Sequence, residues 1–301
     1  MRNQERAAGT LYLVGTPIGN LGDMSERART TLDAVDLVAA EDTRRTRGLL
    51  ASLDVHARLV SFHDANERER TERLLQELRA GRDVAVVSDA GMPGLSDPGF
   101  RLVRACAEAG IDVRVVPGPS AVIAALVVSG LPTDRFAFEG FLPRRAGERK
   151  ARLEGLAAEP RTLVFFESPR RLAATLHEIA GVFGDRRVAV ARELTKLHEE
   201  VVRGRVSELA GRFDEREPRG EIVLVVEGAP QDRAPVPEEE LAEEAGRLVA
   251  EGMRARDAAR TVARRRGASA NDVYRALVER TPTRSRTRGQ GRDPGPDPGA
   301  T

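Results

Sequence analysis

The sequence predicts an α/β protein with a mainly parallel first sheet, a mixed second sheet and a small helical appendix. Three observations carry this expectation. From residue 11 to about 129, short apolar runs alternate with amphipathic stretches, the rhythm of a parallel sheet with helices on both faces. A Gly/Pro/Asp break over 130–134 is followed by a second alternation, in which two strand-like runs lie close together around Lys196. Such a short connection suits an antiparallel pair, so the second sheet should be mixed. After a Pro/Glu linker over 234–239, the pattern is helical only.

The elements follow in order. LYLVG (11–15) reads as a buried strand, Ser25 as the cap of a helix running to about 35, and LVAA (37–40) as a second strand. A helix begins near Ala65, with Leu74, Leu75 and Leu78 at helical spacing. DVAVVSD (83–89), a helix over 98–109, DVRVV (112–116) and a helix over 120–129 complete the first alternation. The second has strands at 136–142, 162–167, 187–193, 199–204 and 221–228, and helices near 144–157, 169–180 and 206–213. Helices near 238–251, 254–266 and 271–279 form the appendix, and the Arg/Gly/Pro-rich stretch beyond Thr281 is expected to be disordered. The expected domains are 1–131, 132–233 and 234–280, with a tail over 281–301.

Composition narrows the function. A chain of 301 residues, 41% hydrophobic and 32% charged, is ordinary for a globular protein of two domains. No apolar run approaches the roughly 20 residues that span a bilayer, and MRNQERAAGT holds no signal core, so a cytoplasmic protein is expected. Cys106 stands alone, which excludes an internal disulfide, and with four histidines no metal site is expected. The net charge is only +1, but twelve arginines between 254 and 292 face three acids, which suggests a local anion-binding face. Lys150 and Lys196 are the only lysines, so arginine is the default cation and its abundance alone does not argue for RNA.

Three loops at strand ends stand out. Gly15-Thr-Pro17-Ile-Gly-Asn is a glycine-bearing turn that is neither a G-x-G-x-x-G nor a P-loop motif. Residues 88–99, SDAGMPGLSDPG, follow a buried strand. There Asp89 could accept a ligand amine or hydroxyl, Ala90–Leu95 are expected to bind, and Asp97 is expected to cap the next helix. In PGPSA (117–121), Ser120 offers a hydroxyl and a backbone N–H together. Their convergence in one sheet points to a nucleotide-like small molecule.

Three further clusters were weighed. EDTRRTR (41–47) offers Arg44 and Arg45 to phosphates, or is a solvated helix start. FFESPRR (165–171) puts Phe166, Glu167, Arg170 and Arg171 at a strand end, with Ser168 and Pro169 opening a helix. Lys196, in ARELTKLHEE, is a candidate base or polariser, because lysine, unlike arginine, can lose its proton when desolvated.

These motifs, with SFHDANE (61–67) and GEIVLVVEG (220–228), occur in the order seen in the tetrapyrrole methylase superfamily, which the chain resembles from about Leu11 to Gly228. Within it the chain is similar to the bacterial branch that 2′-O-methylates a cytidine of small-subunit ribosomal RNA, whose small C-terminal helical domain the appendix also resembles. The resemblance implies a two-domain fold, S-adenosylmethionine in a cleft between the domains, a homodimer, and 16S ribosomal RNA or the 30S subunit as partner. It places Gly15 and Pro17 near the cleft, and Asp89, Ala90, Gly91, Met92, Ser120 and Ala121 around the cofactor. Phe166, Leu194 and Gly220 would close over the adenosine from the second domain. On this reading Lys196 is the first candidate for the catalytic base and Glu167 the second, while Arg44, Arg45, Arg144, Arg145, Arg170 and Arg171 contact RNA phosphates. A methylase acting on a tetrapyrrole or another small acceptor, or a non-catalytic ribosome-binding protein, would share much of the pattern.

Overall fold

The structure, a computed structural model, describes residues 8–230, 237–266 and 268–280. The expected tail over 281–301, and residues 234–236 of the expected linker, lie outside them. The chain divides into two compact units, one through Pro230 and one beyond it.

The first unit holds two five-stranded sheets. Strands β1 (Leu11–Val14), β2 (Leu37–Ala40), β3 (Leu59–Ser61), β4 (Val84–Val87) and β5 (Val113–Val116) are all parallel, in the order β3-β2-β4-β1-β5. Helices α1 (Glu26–Ala34), α2 (Thr43–Ser52), α3 (Glu67–Arg79), α4 (Phe100–Glu108) and α5 (Ala121–Val128) connect or follow them. The side chains alternate with period two. Leu11, Leu37, Val84 and Val86 pack on Leu74, Leu78 and Leu102 of α3 and α4, while Val14, Val38, Ala85 and Val87 pack on Leu32 and Leu50 of α1 and α2. The Ser25 hydroxyl accepts from Ala28 N–H at 3.1 Å, capping α1 as expected. Strand β3, only three residues long, is not among the expected elements, and α2 bears out the helix-start reading of residues 41–47.

The second sheet is mixed, as expected. Its strands β6 (Phe136–Phe141), β7 (Thr162–Glu167), β8 (Arg187–Arg192), β9 (Glu200–Arg205) and β10 (Ile222–Val226) lie in the order β6-β7-β10-β8-β9, with only β6 and β7 parallel. One face packs on α6 (Ala146–Leu156), α7 (Leu172–Phe183) and α8 (Val206–Glu215) through Phe165, Leu176, Phe213 and Leu224. The other face, with Val164, Ala191, Val223 and Val225, packs on Ile18 and on Val122, Ala125 and Leu126 of α5. This shared layer explains why α5, AVIAALVV, has no polar face.

The second unit is a three-helix cluster. Leu241 and Ala245 of α9 (Glu238–Ala250), Ala258 and Val262 of α10 (Ala255–Arg266), and Val273 and Leu277 of α11 (Ala270–Arg280) form its core. Arg266 pairs with Glu244 at 2.7 Å and Arg275 with Glu238 at 3.3 Å, so part of the basic charge is matched within the unit. No described helix is long and apolar enough to cross a membrane.

Candidate active site

Strand order brings the three Gly/Pro loops together. They leave β1, β4 and β5, which are adjacent in the sheet as β4-β1-β5. Parallel strands present their carboxyl ends on one edge, where open α/β sheets hold ligands. The loops are then stitched by backbone. Thr16 N–H donates to Gly91 O at 2.9 Å, and Gly91 N–H donates back to Thr16 O at 3.1 Å. Gly91 adopts φ +84°, which an L-residue avoids. A Cβ on Gly15 would lie 2.6 Å from Gly118 Cα and 2.7 Å from Met92 Sδ. The glycine of the first loop therefore serves a backbone crossing, rather than the close ligand approach that its position suggested.

Between these loops and the second sheet lies a cavity of about 370 Å³, within the range of roughly 300–1,000 Å³ of small-molecule sites. Of the expected cofactor residues, Ala90, Gly91, Met92, Ser120 and Ala121 line its first wall. Phe166, Leu194 and Gly220 line the second. Gly15, Pro17 and Asp89 are not among the lining residues. Asp89 is a correction: its carboxylate accepts from Asp42 N–H at 3.0 Å and from Arg45 at 3.1 Å, tying the ends of β2 and β4 instead of facing a ligand. Sequence reasoning missed Ile18, Ser96, Phe141 and Glu221 as lining residues, and misassigned Asp97.

The second wall is built on strained backbone. Gly220 has φ +90°, and a Cβ there would fall 2.2 Å from Glu193 Oε1. Glu193 and Thr195 are non-glycine residues at φ +52° and +66°, a conformation costing on the order of 1–3 kcal/mol each. The Glu193 carboxylate holds the turn by accepting from Glu221 N–H at 3.0 Å and from Lys196 Nζ at 2.8 Å. Lys196 also donates to Glu221 at 3.2 Å. Burial alone would lower its pKa, but the hydrogen bonds and charges of Glu193 and Glu221 outweigh it and raise the ammonium above its usual range. Lys196 is therefore held protonated, which corrects its candidacy as a base. It remains a fixed cation packed against Gly19 of the first loop.

Glu167 is the third correction. It lies on β7 beside Phe166, and period-two alternation sends their side chains to opposite faces. Phe166 joins the cluster that borders the cavity, whereas the Glu167 side chain is fully buried and accepts from Thr175 Oγ1 at 2.7 Å and from Ser168 N–H at 2.7 Å. Ser168 occupies the cap position before a 3-10 turn at Pro169–Arg171, but its hydroxyl makes no capping bond. Arg171 turns inward with Glu167, 3.4 Å away, and donates to the carbonyls of Leu142 at 3.0 Å and Pro143 at 3.3 Å. It is a structural arginine, which corrects its assignment to RNA. Arg44, Arg45, Arg144, Arg145 and Arg170 are exposed. Arg44, Arg45 and Arg145 make surface pairs with Asp42, Asp89 and Glu148.

Asp97 does not cap α4. The cap position is Gly99, without a side-chain cap, and Glu67 of α3 accepts from Gly99 N–H at 2.9 Å instead. Asp97 lines the cavity half-buried, following Ser96, which is held at φ +65°. Burial, then the nearby Glu41 charge, push its carboxyl up to about 6, against a hydrogen bond with Ser88 that lowers it. Glu41 is itself raised by burial and by Asp89.

Comparisons with known proteins agree with this architecture. The model of the family described as Tetrapyrrole (Corrin/Porphyrin) Methylases matches residues 10–210. A Synechocystis protein named ribosomal RNA small subunit methyltransferase I is 48% identical over 273 residues, which is 90% of this chain and 98% of the relative. A Thermotoga maritima protein of the same name is 51% identical over 220 residues, 73% of this chain and 99% of the relative. Among solved structures, uroporphyrin-III-C-methyltransferase from Thermus thermophilus matches with a TM-score of 0.51 and 26% identity, covering 73% of this chain and 94% of that one. The family model and these relatives agree over most of the chain, and the chain belongs to the tetrapyrrole (corrin/porphyrin) methylase family, among its ribosomal RNA small subunit methyltransferase I members.

Proposed function

We propose that this protein transfers a methyl group from S-adenosylmethionine to a ribose 2′-oxygen, that of a cytidine in 16S ribosomal RNA. The observation that carries the donor half is the cavity where the three stitched loops meet the second sheet. Its chemistry fits the donor. Ile18, Val122, Phe166 and Leu194 supply apolar walls for an adenine, and Gly91 and Gly220 leave backbone open at positive φ. When bound, the donor supplies a methyl group on a sulfonium; the protein supplies position and electrostatics.

The acceptor half is supported by the relatives' shared name and by Phe141. This ring stands 62% exposed at the cavity lining, tilted against Phe166 with centroids 5.4 Å apart. An exposed aromatic beside a cavity is a platform for a base splayed out of a single strand. Arg44, Arg45, Arg144, Arg145 and Arg170 would meet the phosphates. Exposed ion pairs contribute only about 0–1 kcal/mol, so their carboxylate partners can be exchanged for phosphate at little cost. A homodimer would give cover to large apolar side chains that stand exposed, such as Val115 on β5 and Ile123 and Val127 on α5; a monomeric mass in solution at micromolar concentration would contradict it. This acceptor implies work in the cytoplasm.

The test offers labelled donor with either undermodified small ribosomal subunits or a mixture of reduced tetrapyrroles. Label is expected in the ribosomal RNA alone, with binding that weakens steeply as salt rises. Label in the tetrapyrroles alone would place the chain with the small-acceptor methylases.

A further inference from the structure

Three ionisable residues are among those lining the cavity, and the carboxylates of two are spoken for. Glu167 points to the far face of its sheet and is held by Thr175. Glu221 is 72% exposed and pairs with Lys196. Asp97 is the remaining one, and it sits half-buried on a constrained loop. The stretch from Gly94 to Gly99 carries three positive φ values, +82° at Gly94, +65° at Ser96 and +141° at Gly99. Non-glycine residues hold such a conformation only where the surroundings impose it, and such strain clusters at active sites. Here the surroundings are specific. Gly99 N–H is held by Glu67, and Ser96 Oγ lies 3.4 Å from where a Cβ on Gly140 of β6 would be, so the loop reaches across to the edge strand that carries Phe141.

We propose that Asp97 is the catalytic base that takes the proton from the acceptor hydroxyl. This rests on the function proposed above. As the 2′-oxygen forms its bond to the methyl carbon, the sulfur–carbon bond breaks with its electron pair staying on sulfur, and the hydroxyl proton passes to an Asp97 carboxylate oxygen. The sulfonium becomes a neutral thioether, and the charge balances.

The electrostatic setting suits that role. The charges that act on Asp97 are Glu41 after β2, Asp89 after β4 and Asp64 after β3, and they raise it against the influence of Ser88, which lowers it. The cation near them, Arg45, is engaged by Asp89 at 3.1 Å. A carboxylate among carboxylates gains more from a proton than an isolated one does, and a base works best when its pKa lies near the working pH.

The experiment compares wild-type protein with Asp97→Asn and Asp97→Glu. Three quantities are read: kcat/KM for the donor between pH 5 and 8 on undermodified small subunits, donor affinity by calorimetry, and direct titration of carboxyl carbons by NMR in aspartate-labelled protein. Wild-type kcat/KM is expected to rise tenfold per pH unit to about pH 6 and then level, matching an NMR titration near 6 that vanishes in Asp97→Asn. Asp97→Asn should lose about 10²–10⁴-fold in rate with no break in its profile, donor affinity should hold within threefold, and Asp97→Glu should recover part of the rate. A rate for Asp97→Asn within threefold of wild type, or a break that persists in it, overturns the assignment while leaving the proposed function standing. No transfer by wild-type protein despite an Asp97 titration near 6 overturns the proposed function, and the base with it.

Discussion

Gly15→Ala is expected to abolish methyl-donor binding and to lower thermal stability. The added Cβ would sit 2.6 Å from both Cα and N of Gly118 and 2.7 Å from Met92 Sδ. The methionine can swing away, but the Gly118 backbone cannot, because Gly15 N–H is bonded to Val116 O at 3.0 Å just before it. The loops after β1 and β5 must then part. Overpacking of this kind costs about 1–3 kcal/mol. The larger loss falls on the donor, whose first wall depends on Thr16 and Gly91 staying in register. Donor affinity should fall at least 100-fold, an effect of roughly 2.7 kcal/mol. Gly48→Ala is the control: it adds a methyl in a helix where nothing lies within 4 Å, and it should leave donor affinity unchanged. A Gly15→Ala protein that binds donor within threefold of wild type would mean that the loops are not stitched at this crossing.

Arg171→Ala should destabilise the fold far more than it weakens RNA binding. The guanidinium is one-quarter exposed and faces a Glu167 carboxylate with no exposure at all. Removing one partner of a buried pair typically costs about 3–5 kcal/mol. With Thr175 and Ser168 still serving Glu167, about 2–3 kcal/mol is the reasonable scale. For a unit of this size that lowers Tm by roughly 5–10 °C. Arg170→Ala, one residue earlier and exposed, should do the opposite: no shift in Tm, and weaker RNA binding with a shallower salt dependence. If the two variants behave alike, Arg171 is not the structural member of the pair.

The contrast between those neighbouring arginines shows where the sequence is legible and where it stops. Period-two and helical patterns identified four of the five strands of the first sheet and all of the second, because buried runs such as VAVV and IVLVV have few other readings. The three cofactor loops could be read because Gly and Pro cluster directly after strands. Strand order could not be read, and it is strand order that makes the loops neighbours. Asp97 reads as a helix cap because an aspartate just before an expected helix commonly is one; α4 instead starts at Phe100, and Glu67, thirty-two residues before Gly99, accepts from the Gly99 N–H. Lys196 was taken for a base because it is a rare lysine, and only the fold shows Glu193 and Glu221 gripping it. Side-chain direction decides the case of Glu167: it follows Phe166 on the same strand, so its carboxylate turns to the opposite face of the sheet, where Thr175 holds it.

On the proposed function, the cavity at the ends of β4, β1 and β5 delivers a methyl group to a ribose oxygen of small-subunit RNA. The most direct test is nucleoside mass spectrometry of 16S RNA from undermodified small subunits after incubation with the protein and isotopically labelled donor. The account predicts label in 2′-O-methylcytidine, at stoichiometry approaching one per subunit, and none when Gly15→Ala protein is used. Label on a nucleobase, or transfer undiminished by Gly15→Ala, would contradict it.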